Sequence, residues 1–509
     1  MGKKIVVITA IVLIVMATVG TLVVWAATGP LVQVSSTSPF GAQGDCGDFP
    51  GTVGGAGTLF NNSEVEPWVA VNPDNSDNIV AFWQQDRWSN GGSRGNVAGV
   101  SLDGGTNWQI VSVPGITDCT GGPWERSSDP WVSFGPDGTL HQMSLVFQVD
   151  PSPDYPGGFG PNGMAVSKSE DGGLTWSDPI IIIQDDNPRY LNDKNSLTAD
   201  PTDANYVYAV WDRLDVLPSF ARNPNRAVAL GFKGAALFAR STDGGDTWEP
   251  AKKLYDPGGV NQTIGNQIVV MPDGTVIDFF NEILNFRNDD GGSQFDFNLS
   301  FKYSENKGER WLPRGRPIRT NKMEGIGTVT PDDLIPVRDA ALLFDVAVDP
   351  ENGNLYAVWQ DARFNGFDEV AYSESTDGGD NWSAPVKINL TPDNANSLRR
   401  QAFLPSVEVA DGVVGVTYYD FRNDDGSGEL ADHWFISCSG GCSNPSNWGG
   451  SELRLTDASF DITQAPNAGG LFLGDYVGLA SDGTDFLTFF QQSFNSADPA
   501  SGFFRRVTP

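Results

Sequence analysis

Acidic and arginine residues recur as close pairs at four points of this chain, each within three residues of a Trp or Tyr. The pairs are Asp86–Arg87, Asp212–Arg213, Asp361 with Arg363, and Asp420 with Arg422. A guanidinium group binds a carboxylate through two parallel hydrogen bonds, so several arginines around one mouth would suit an acidic ligand. The alternative is structural, because each pair could be a salt bridge that holds strands in place.

Two further residues interrupt this pattern and are therefore better candidates for chemistry. Glu282 follows Asn281 where the pattern would place another Asp–Arg pair, and Tyr476 follows Asp475 near the C-terminus. Carboxylates and a tyrosine can supply the acid, the base and the nucleophile of glycoside cleavage. We predict that the catalytic residues are Asp86, Glu282 and Tyr476. The predicted ligand-binding residues are Arg87, Asp212, Arg213, Asp361, Arg363, Asp420, Arg422 and Asp475.

The residue patterns of other common hydrolases are missing from the sequence. The two histidines, His141 and His433, lie in no His-Glu-x-x-His motif, and there is no Gly-x-Ser-x-Gly motif. Zinc-dependent and Ser-His hydrolysis are therefore not indicated. Two Arg-Asn-Asp-Asp-Gly segments, at 287–291 and 422–426, resemble calcium loops but lack the ligand spacing. We predict solvated turns and no cofactor, with structural calcium as the alternative.

Internal repeats must position these residues. An apolar strand ending at a turn residue recurs, as in Glu-Pro-Trp-Val-Ala-Val-Asn-Pro (66–73) and Asp-Pro-Trp-Val-Ser-Phe-Gly-Pro (129–136). Later copies end at Pro201, Pro272, Pro350, Ala410 and Ser481, so seven copies follow at spacings of 60 to 78 residues. Segments such as 206–211 and 415–419 are β-branched and aromatic, as is typical of strands. Repeating sheets of this size close radially as the blades of a β-propeller, because closure protects every edge.

A second motif, Ser-x-Asp-x-Gly-x-x-Trp, accompanies four of the repeats. It occupies 101–108, 169–176, 241–248 and 375–382, while 304–311 is a copy with Asn306 in place of Asp and 437–448 is a stretched remnant. The carboxylate can cap turn amides, the glycine accepts a positive φ, and the tryptophan can be buried against the next sheet. The motif resembles the Asp box of sialidases and other propellers with bacterial neuraminidase repeats. That resemblance implies that the boxes lie away from the active site, so we expect no catalytic role for Asp103, Asp171, Asp243 and Asp377.

The same resemblance implies an exo-glycosidase, similar to sialidases, that acts on a glycan. Glycans with an acidic terminal sugar are among the substrates that it implies. Sialidases bind the sugar carboxylate with three arginines and use a tyrosine backed by a glutamate as nucleophile, with an aspartate as acid/base. Tyr476, Glu282 and Asp86 would take these roles. The Phe/Tyr-Arg-Ile-Pro motif of the family is absent, since 65–68 reads Val-Glu-Pro-Trp. The alternative is therefore a non-catalytic cell-surface propeller that binds glycans or proteins.

The repeats also define the predicted domains. Residues 1–28 form an N-terminal apolar segment, 29–60 a strand with a Gly/Ser-rich loop, and 61–509 the propeller. The seventh repeat has three strands, at 475–480, 486–490 and 503–507, so the segment Leu31–Ser35 is expected to add a fourth and close the ring. We predict an all-β propeller of seven four-stranded antiparallel blades, with six blades as the alternative because the most similar enzymes have six.

The N-terminus indicates export. Lys3 and Lys4 precede a run of 23 uncharged residues, 5–27, longer than the 7–15 residues usual for a signal peptide and close to the ~20 that span a bilayer. This predicts a membrane anchor with the lysines inside, and a cleaved signal peptide is the alternative. The remainder is then extracytoplasmic, and its formal charge of −32 argues against a nucleic-acid partner.

The four cysteines fit an oxidising compartment. Cys438 and Cys442 flank Ser-Gly-Gly and are predicted to form one disulfide, which leaves Cys46 with Cys119 as the other. A four-cysteine metal site, the alternative, would need closer paired spacings.

Overall fold

The computed structural model describes residues 27–46, 57–149, 159–187, 189–216, 232–287, 293–393, 397–450 and 452–509. These residues form thirty β-strands with a few short 3-10 turns and no α-helix, so the chain is all-β. The predicted apolar segment, 1–28, lies outside the described residues except for Ala27 and Thr28, and so does 288–292, which includes most of the first calcium-like segment. In the described ranges, no helix is long and apolar enough to cross a membrane.

The strands form consecutive antiparallel sheets, most of them four-stranded. Two short strands come first, β1 (Ala27–Thr28) and β2 (Val32–Gln33). Sheet 1 contains β3 (Leu59–Asn72), β4 (Asn75–Trp88), β5 (Ser93–Ser101) and β6 (Gln109–Ser112). Sheet 2 contains β7 (Arg126–Phe134), β8 (Leu140–Val149), β9 (Phe159–Ser169) and β10 (Ile180–Asp185), and a single pairing of β5 with β7 joins it to sheet 1. Sheet 3 contains β11 (Tyr190–Ala199), β12 (Val207–Val216), β13 (Phe232–Ser241) and β14 (Lys252–Tyr255).

The C-terminal half continues the same arrangement. Sheet 4 contains β15 (Gln262–Val270), β16 (Val276–Arg287), β17 (Ser293–Ser304) and β18 (Ile318–Lys322). Sheet 5 contains β19 (Phe344–Val348), β20 (Leu355–Asp361), β21 (Glu369–Ser375) and β22 (Val386–Lys387). Sheet 6 contains β23 (Ala402–Ala410), β24 (Val413–Asp420), β25 (Leu430–Cys438), β26 (Leu453–Arg454) and β27 (Phe460–Asp461). Sheet 7 contains β28 (Gly478–Ser481), β29 (Phe486–Gln492) and β30 (Ser501–Thr508), with β1 and β2 paired to β30.

The first strands of successive sheets lie side by side in chain order. β3 contacts β7, and the series continues through β11, β15, β19 and β23 to β28, which in turn contacts β3. Residues from all seven of these strands line one cavity of about 320 Å³. The first strands therefore surround a common axis, and we call this space the axial cavity.

The apolar core lies between neighbouring sheets. Trp131 of sheet 2 and Trp211 of sheet 3 belong to one buried cluster, and equivalent clusters fill each of the other contacts between consecutive sheets. Sheet 7 packs on sheet 1 in the same way, through Phe504 and Trp83. Burial of a large apolar side chain contributes about 1.5–3 kcal/mol. Each sheet is thus stabilised from both sides by its two neighbours.

The N-terminal strands join the last sheet. Val32 pairs with Phe504, and the amide of Val34 donates to the Gly502 carbonyl at 2.9 Å. The Val34 side chain is buried in the cluster between sheets 7 and 1. The segment near residue 32 is therefore part of sheet 7, although 468 or more residues separate it in sequence from its partners.

The Ser-x-Asp-x-Gly-x-x-Trp segments form turns with a shared hydrogen-bond pattern. The Ser101 hydroxyl accepts from the Gly105 amide at 2.9 Å, and the Asp103 carboxylate accepts from the Asn107 amide at 2.8 Å. The same bonds occur in the segments that begin at Ser169, Ser241 and Ser375, and with Asn306 in place of Asp in the segment at Ser304. The carboxylates of these segments accept hydrogen bonds from turn amides, so their role in the fold is structural.

Both predicted disulfides are present. Cys46 is bonded to Cys119, which holds the N-terminal loop against sheet 1, and Cys438 is bonded to Cys442. The described residues contain no free cysteine.

His433 is an unusual polar residue in the core between sheets 6 and 7. Its ring centroid lies 4.2 Å from that of Tyr419 and 4.5 Å from that of Phe490. Neither ring nitrogen has a hydrogen-bond partner among the described residues, and burial lowers the pKa of His433 to about 3. The imidazole is therefore neutral and packs as an aromatic ring between Tyr419 and Phe490.

Replacing Val34 by Asp should destabilise the fold, because an unpaired charge would be buried between sheets 7 and 1. We expect the midpoint of thermal unfolding to fall well below that of Ser36→Asp, the matched control at an exposed position two residues away. Equal midpoints for the two variants would show that the N-terminal strand does not hold the last sheet to the first.

Replacing His433 by Phe should raise stability more at pH 5 than at pH 8. The unfolded chain protonates this histidine below about pH 6.5 whereas the fold does not, so wild-type stability falls as the pH drops, by about 2 kcal/mol at pH 5 for this residue. Denaturant unfolding at both pH values measures the difference. Tyr419→Phe, the control, should change stability equally at both, and a pH-independent effect of His433→Phe would refute the assignment.

Candidate functional site

The first strands share a backbone irregularity that aims side chains at the axis. β-bulges interrupt β3, β7, β11, β15 and β23 at equivalent positions. The residues with positive φ there are Glu66 (54°), Asp129 (47°), Lys194 (49°), Gly265 (71°) and Leu404 (51°). A non-glycine residue in this region costs on the order of 1–3 kcal/mol and persists where its surroundings hold it, often at a functional site.

Three of these bulge residues are charged and meet one another. The Lys194 Nζ lies 3.2 Å from the Asp129 Oδ1 and 3.5 Å from the Glu66 Oε1, and it also contacts Asp475. The Arg338 guanidinium binds Asp475 through two hydrogen bonds of 3.0 and 2.5 Å. We call these five residues the axial cluster. The three carboxylates are buried, whereas the Arg338 side chain is 30% exposed.

Two carboxyl groups of the axial cluster have pKa values shifted in opposite directions. Burial, together with the neighbouring Asp129, raises the pKa of Glu66 to about 8. Burial also disfavours ionisation of Asp475, but Arg338 and Lys194 hold the pKa of that carboxyl well below its usual range. At neutral pH the same site therefore contains a protonated and an ionised carboxyl group, the arrangement that supplies an acid and a base together.

Aromatic rings form the floor beneath the axial cluster. Trp68 and Trp131 stack with ring centroids 3.5 Å apart, and Tyr476 packs edge-on against both. The Tyr476 hydroxyl donates to the Pro130 carbonyl at 3.1 Å. Trp68 lines both the axial cavity and a small cavity of about 20 Å³ next to Asp475 and Tyr476. The predicted catalytic residue Tyr476 thus does lie at the axis.

Arg87 lies beside the axial cluster. It is 3% exposed, its Nη1 donates to the Gln84 Oε1 at 2.6 Å, and Gln84 in turn donates to Glu66. Its Nε has no hydrogen-bond partner, and both Arg87 and Arg338 lie over the ring of Phe472. Burial and the nearby Arg338 lower the pKa of Arg87 to about 10. No carboxylate of the described ranges forms a salt bridge with this guanidinium.

Asp86, predicted to be an acid/base, has a structural position instead. It is fully buried, and its carboxylate accepts from the Ser38 hydroxyl at 2.6 Å and the Asn62 amide at 2.8 Å. Arg94 forms a buried salt bridge with it at 3.1 Å. These partners fasten the N-terminal loop to sheet 1, and the backbone of Asp86 is left-handed, with φ of 62°.

Glu282, predicted to be the base for Tyr476, lies between sheets 3 and 4. Its carboxylate accepts from the Tyr255 hydroxyl at 2.5 Å and from the Arg319 Nε at 2.6 Å. It shares no bonding partner with Tyr476 within the part of the chain that the structure describes. Glu282 and Tyr476 line different cavities, and the tyrosine that Glu282 contacts is Tyr255. That Glu282 serves as the base for Tyr476 stays a prediction.

The structure does not bring the other predicted arginines together. Arg213 binds Asp185 and lies over the ring of Tyr190, and the Arg363 guanidinium binds Asp361 through two hydrogen bonds of 2.7 Å. The Arg213 guanidinium is thus bound by a carboxylate of sheet 2, and that of Arg363 by the aspartate of its own pair at the end of β20. Both arginines form salt bridges, although Arg213 does not form one with Asp212.

The aspartates of the same pattern, and the pair in sheet 6, are likewise satisfied locally. Asp212 accepts from Thr263, Gly265 and Asn266, which links sheet 3 to the bulge of sheet 4, and burial raises its pKa to about 8. Arg422 binds both Asp420 and Glu452 at 2.5 Å. Only Arg87, Asp475 and Tyr476 of the predicted residues therefore reach the axial site.

Sequence reasoning placed three residues of the axial cluster at the entries of their repeats without giving them a role, and it missed a fourth, Arg338. The three are Glu66, Asp129 and Lys194. A signal existed for the first two, because both open the repeated Glu/Asp-Pro-Trp segment that also supplies the stacked tryptophans. Lys194 occupies the equivalent place in the third repeat, where the motif itself is lost, and Arg338 lies in a connection that no pattern singles out.

One acidic group could be read as a metal site. Oxygen atoms of Asp332, Asp424 and Glu429 lie within 4.8 Å of one another. The Arg399 guanidinium binds Asp332 at 2.7 Å and Asp424 at 2.6 Å. The Arg399 guanidinium thus already offsets the charge of these carboxylates. One of them, Asp424, belongs to the second calcium-like segment.

Comparison with known proteins finds only distant similarity. No protein-family model and no curated protein match this sequence. Among solved structures, it is similar to the Hadza microbial sialidase Hz136, with 15% identity, a TM-score of 0.44, and coverage of 84% of this chain and 76% of that one. The α-L-arabinofuranosidase Arb93A from Fusarium graminearum gives 12% identity and a TM-score of 0.44 over 70% and 88% of the two chains. For a Trypanosoma rangeli sialidase the values are 14% and 0.39 over 79% and 56%.

Replacing Lys194 by Met should destabilise the protein more at pH 8 than at pH 5. The substitution removes the cation shared by three buried carboxylates, and breaking a buried ion pair costs about 3–5 kcal/mol. Acid relieves the loss because protonated carboxyl groups need no cation. Denaturant unfolding at both pH values tests this, with the exposed Lys253→Met as control. A loss that is the same at both pH values would show that Lys194 does not hold the carboxylates.

Proposed function

We propose that this protein is a glycoside hydrolase whose reaction takes place at the axial cluster. The observation that carries the proposal is the group of three buried carboxylates around the single Lys194 ammonium, with the pKa of Glu66 raised to about 8 and that of Asp475 held low. Glycoside cleavage requires a protonated and an ionised carboxyl group close together.

The distances suit such a pair. The oxygens of Glu66 and Asp129 lie 3.5 and 3.2 Å from the same nitrogen, so they cannot be farther apart than the sum of these distances. Retaining glycosidases hold their two carboxyl groups about 5–5.5 Å apart. Glu66 would protonate the leaving oxygen as the glycosidic bond breaks, and the Asp129 carboxylate would attack the sugar carbon. Arg87 would bind the carboxylate of an acidic sugar.

A second candidate function is a non-catalytic propeller that binds glycans or proteins. The observation in its favour is the space beside Asp475 and Tyr476, which is about 20 Å³, far below the ~300 Å³ at the lower end of ligand pockets. Catalysis would require the axial face to open around a sugar, whereas binding elsewhere on the protein would not.

The architecture belongs to the same proposal. We infer a seven-bladed propeller from the seven first strands that contact one another in order and from β28 that contacts β3. The Ser-x-Asp turns serve as its Asp boxes and stiffen the blades. The two disulfides support an extracytoplasmic location, and residues 5–27 would anchor the protein or direct its secretion.

Replacing Glu66 by Gln should reduce glycosidase turnover by about 10²–10⁴-fold, the contribution of a general acid. Purified residues 29–509 would be tested against a panel of fluorogenic sialosides, uronides and arabinosides. Because Glu66 must be protonated, wild-type kcat/KM should fall above about pH 8, and this alkaline limb should vanish in the variant.

Glu64→Gln is the matched control for that experiment. Glu64 lies on the same strand, is equally buried and hydrogen bonds to Gln85, but it is not part of the axial cluster. Its variant should retain activity. The absence of turnover on every glycoside, with both variants folded, would favour the non-catalytic alternative.

A further inference from the structure

A second cavity, of about 740 Å³, lies between sheets 3 and 4. It shares no lining residue with the axial cavity or with the small space beside Tyr476. Its walls are the end of β14, the middle of β16 and β17, and the connection that leads from Trp311 to β18. Its volume is in the range of about 300–1,000 Å³ that small ligands occupy in proteins. We call it the lateral cavity.

The acidic residues of the lateral cavity are already neutralised. Glu282 is bound by the Tyr255 hydroxyl and by Arg319. Asp256 accepts from the Lys253 ammonium at 2.8 Å and from the Gly258 amide at 3.0 Å. These carboxylates therefore do not compete for further cations in the cavity.

Two arginines of the cavity lack such partners. Arg314 and Arg316 are exposed, and neither forms a salt bridge or a side-chain hydrogen bond with another residue in the described ranges. The buried Lys302 fixes their loop, because its ammonium donates to the Pro313 carbonyl at 2.5 Å and to the Gly315 carbonyl at 3.1 Å. The backbone that bears the two guanidinium groups is thus fixed, and the groups themselves can bind an anion.

The field of Arg316 reaches into the cavity. Burial and the Glu282 carboxylate raise the pKa of the Tyr255 hydroxyl, and the Arg316 charge opposes that rise. Asn285 also lines the cavity, and its amide group makes no side-chain hydrogen bond to another residue of the described chain. An amide and a hydroxyl next to free guanidinium groups can bind sugar hydroxyls and an anionic substituent.

The local sequence is strongly basic in an acidic protein. Residues 302–322 contain seven basic and two acidic residues, whereas the whole chain has a formal charge of −32. Such a reversal of sign attracts anions to this surface while the remainder repels them. The overall charge disfavours nucleic acid, and a concave cavity of this size suits a saccharide better than a protein surface.

We propose that the lateral cavity is an accessory binding site for an acidic sugar residue of a glycan, whose carboxylate or sulfate is held by Arg314 and Arg316. The site does not depend on the reaction at the axial cluster, because no residue is shared. It would hold an anionic glycan at the side of the protein whether or not that glycan is cleaved.

Calorimetric titration of the full-length protein tests this proposal. The probes are a galacturonate trisaccharide and a chondroitin sulfate hexasaccharide, with maltotriose as the neutral sugar and sodium phosphate as the simple anion. At least one acidic saccharide should bind ten times more tightly than maltotriose. Arg314→Ala and Arg316→Ala should each weaken that binding tenfold or more, since each removes a charge-assisted hydrogen bond.

Arg310→Ala is the matched control, because Arg310 is exposed and basic in the same connection but does not line the cavity. Its affinity should stay within twofold of wild type, and Arg314→Lys should retain part of the binding.

The proposal is overturned if acidic and neutral sugars bind alike, if phosphate binds as tightly as the acidic saccharides, or if Arg310→Ala loses as much affinity as Arg314→Ala. The proposal is also overturned if the affinity for acidic sugars is unchanged in Arg314→Ala and Arg316→Ala, since the ligand would then bind outside the lateral cavity. The melting temperatures of all variants should equal that of wild type, since these side chains have no internal partners.

Discussion

The fold depends on one constraint, which is that each sheet can bury its two apolar faces only against the sheets before and after it. Trp131 and Trp211 fill one such contact, and the others have the same composition of aromatic and branched side chains. The last sheet would leave a face exposed unless it met the first, and Phe504 packs on Trp83 for that reason. Closure in turn brings the first strands of all sheets to one axis. The site at the axis is therefore a consequence of how the core is buried.

Charges at the axis are tolerated because they neutralise one another. Isolated carboxylates as buried as Glu66, Asp129 and Asp475 would cost several kcal/mol each. Lys194 and Arg338 offset this cost, and protonation of Glu66 removes a further charge. The bulges place these groups together, since a bulge re-aims a side chain that regular pleating would direct elsewhere. Backbone strain and a raised pKa thus coincide at Glu66, which is the reason for assigning chemistry there.

Strands, repeats and the Cys438–Cys442 disulfide could be predicted from the sequence because they depend on local spacing, and the Cys46–Cys119 disulfide followed by elimination. The site could be predicted only in part. Arg87, Asp475 and Tyr476 lie at the axis, but Asp86 and Glu282 do not, although they occupy similar places in their repeats. A shift of one residue moves a side chain to the other face of a strand, and the sequence does not reveal where such shifts occur. Arg338 was missed because it comes from a connection that reaches the axis only in the folded chain.

The distribution of positive charge connects the two sites. An anionic glycan is repelled by most of this surface, so it can approach only where cations are not already paired. The axial site offers Arg87, which is buried beside the cluster and lacks a carboxylate partner. The lateral cavity offers Arg314 and Arg316, which are exposed and can be reached first. Exposed guanidinium groups speed the encounter, whereas a buried one discriminates, because leaving it unpaired or mispaired is costly. A ligand that satisfies both would be recruited at the side and selected at the axis.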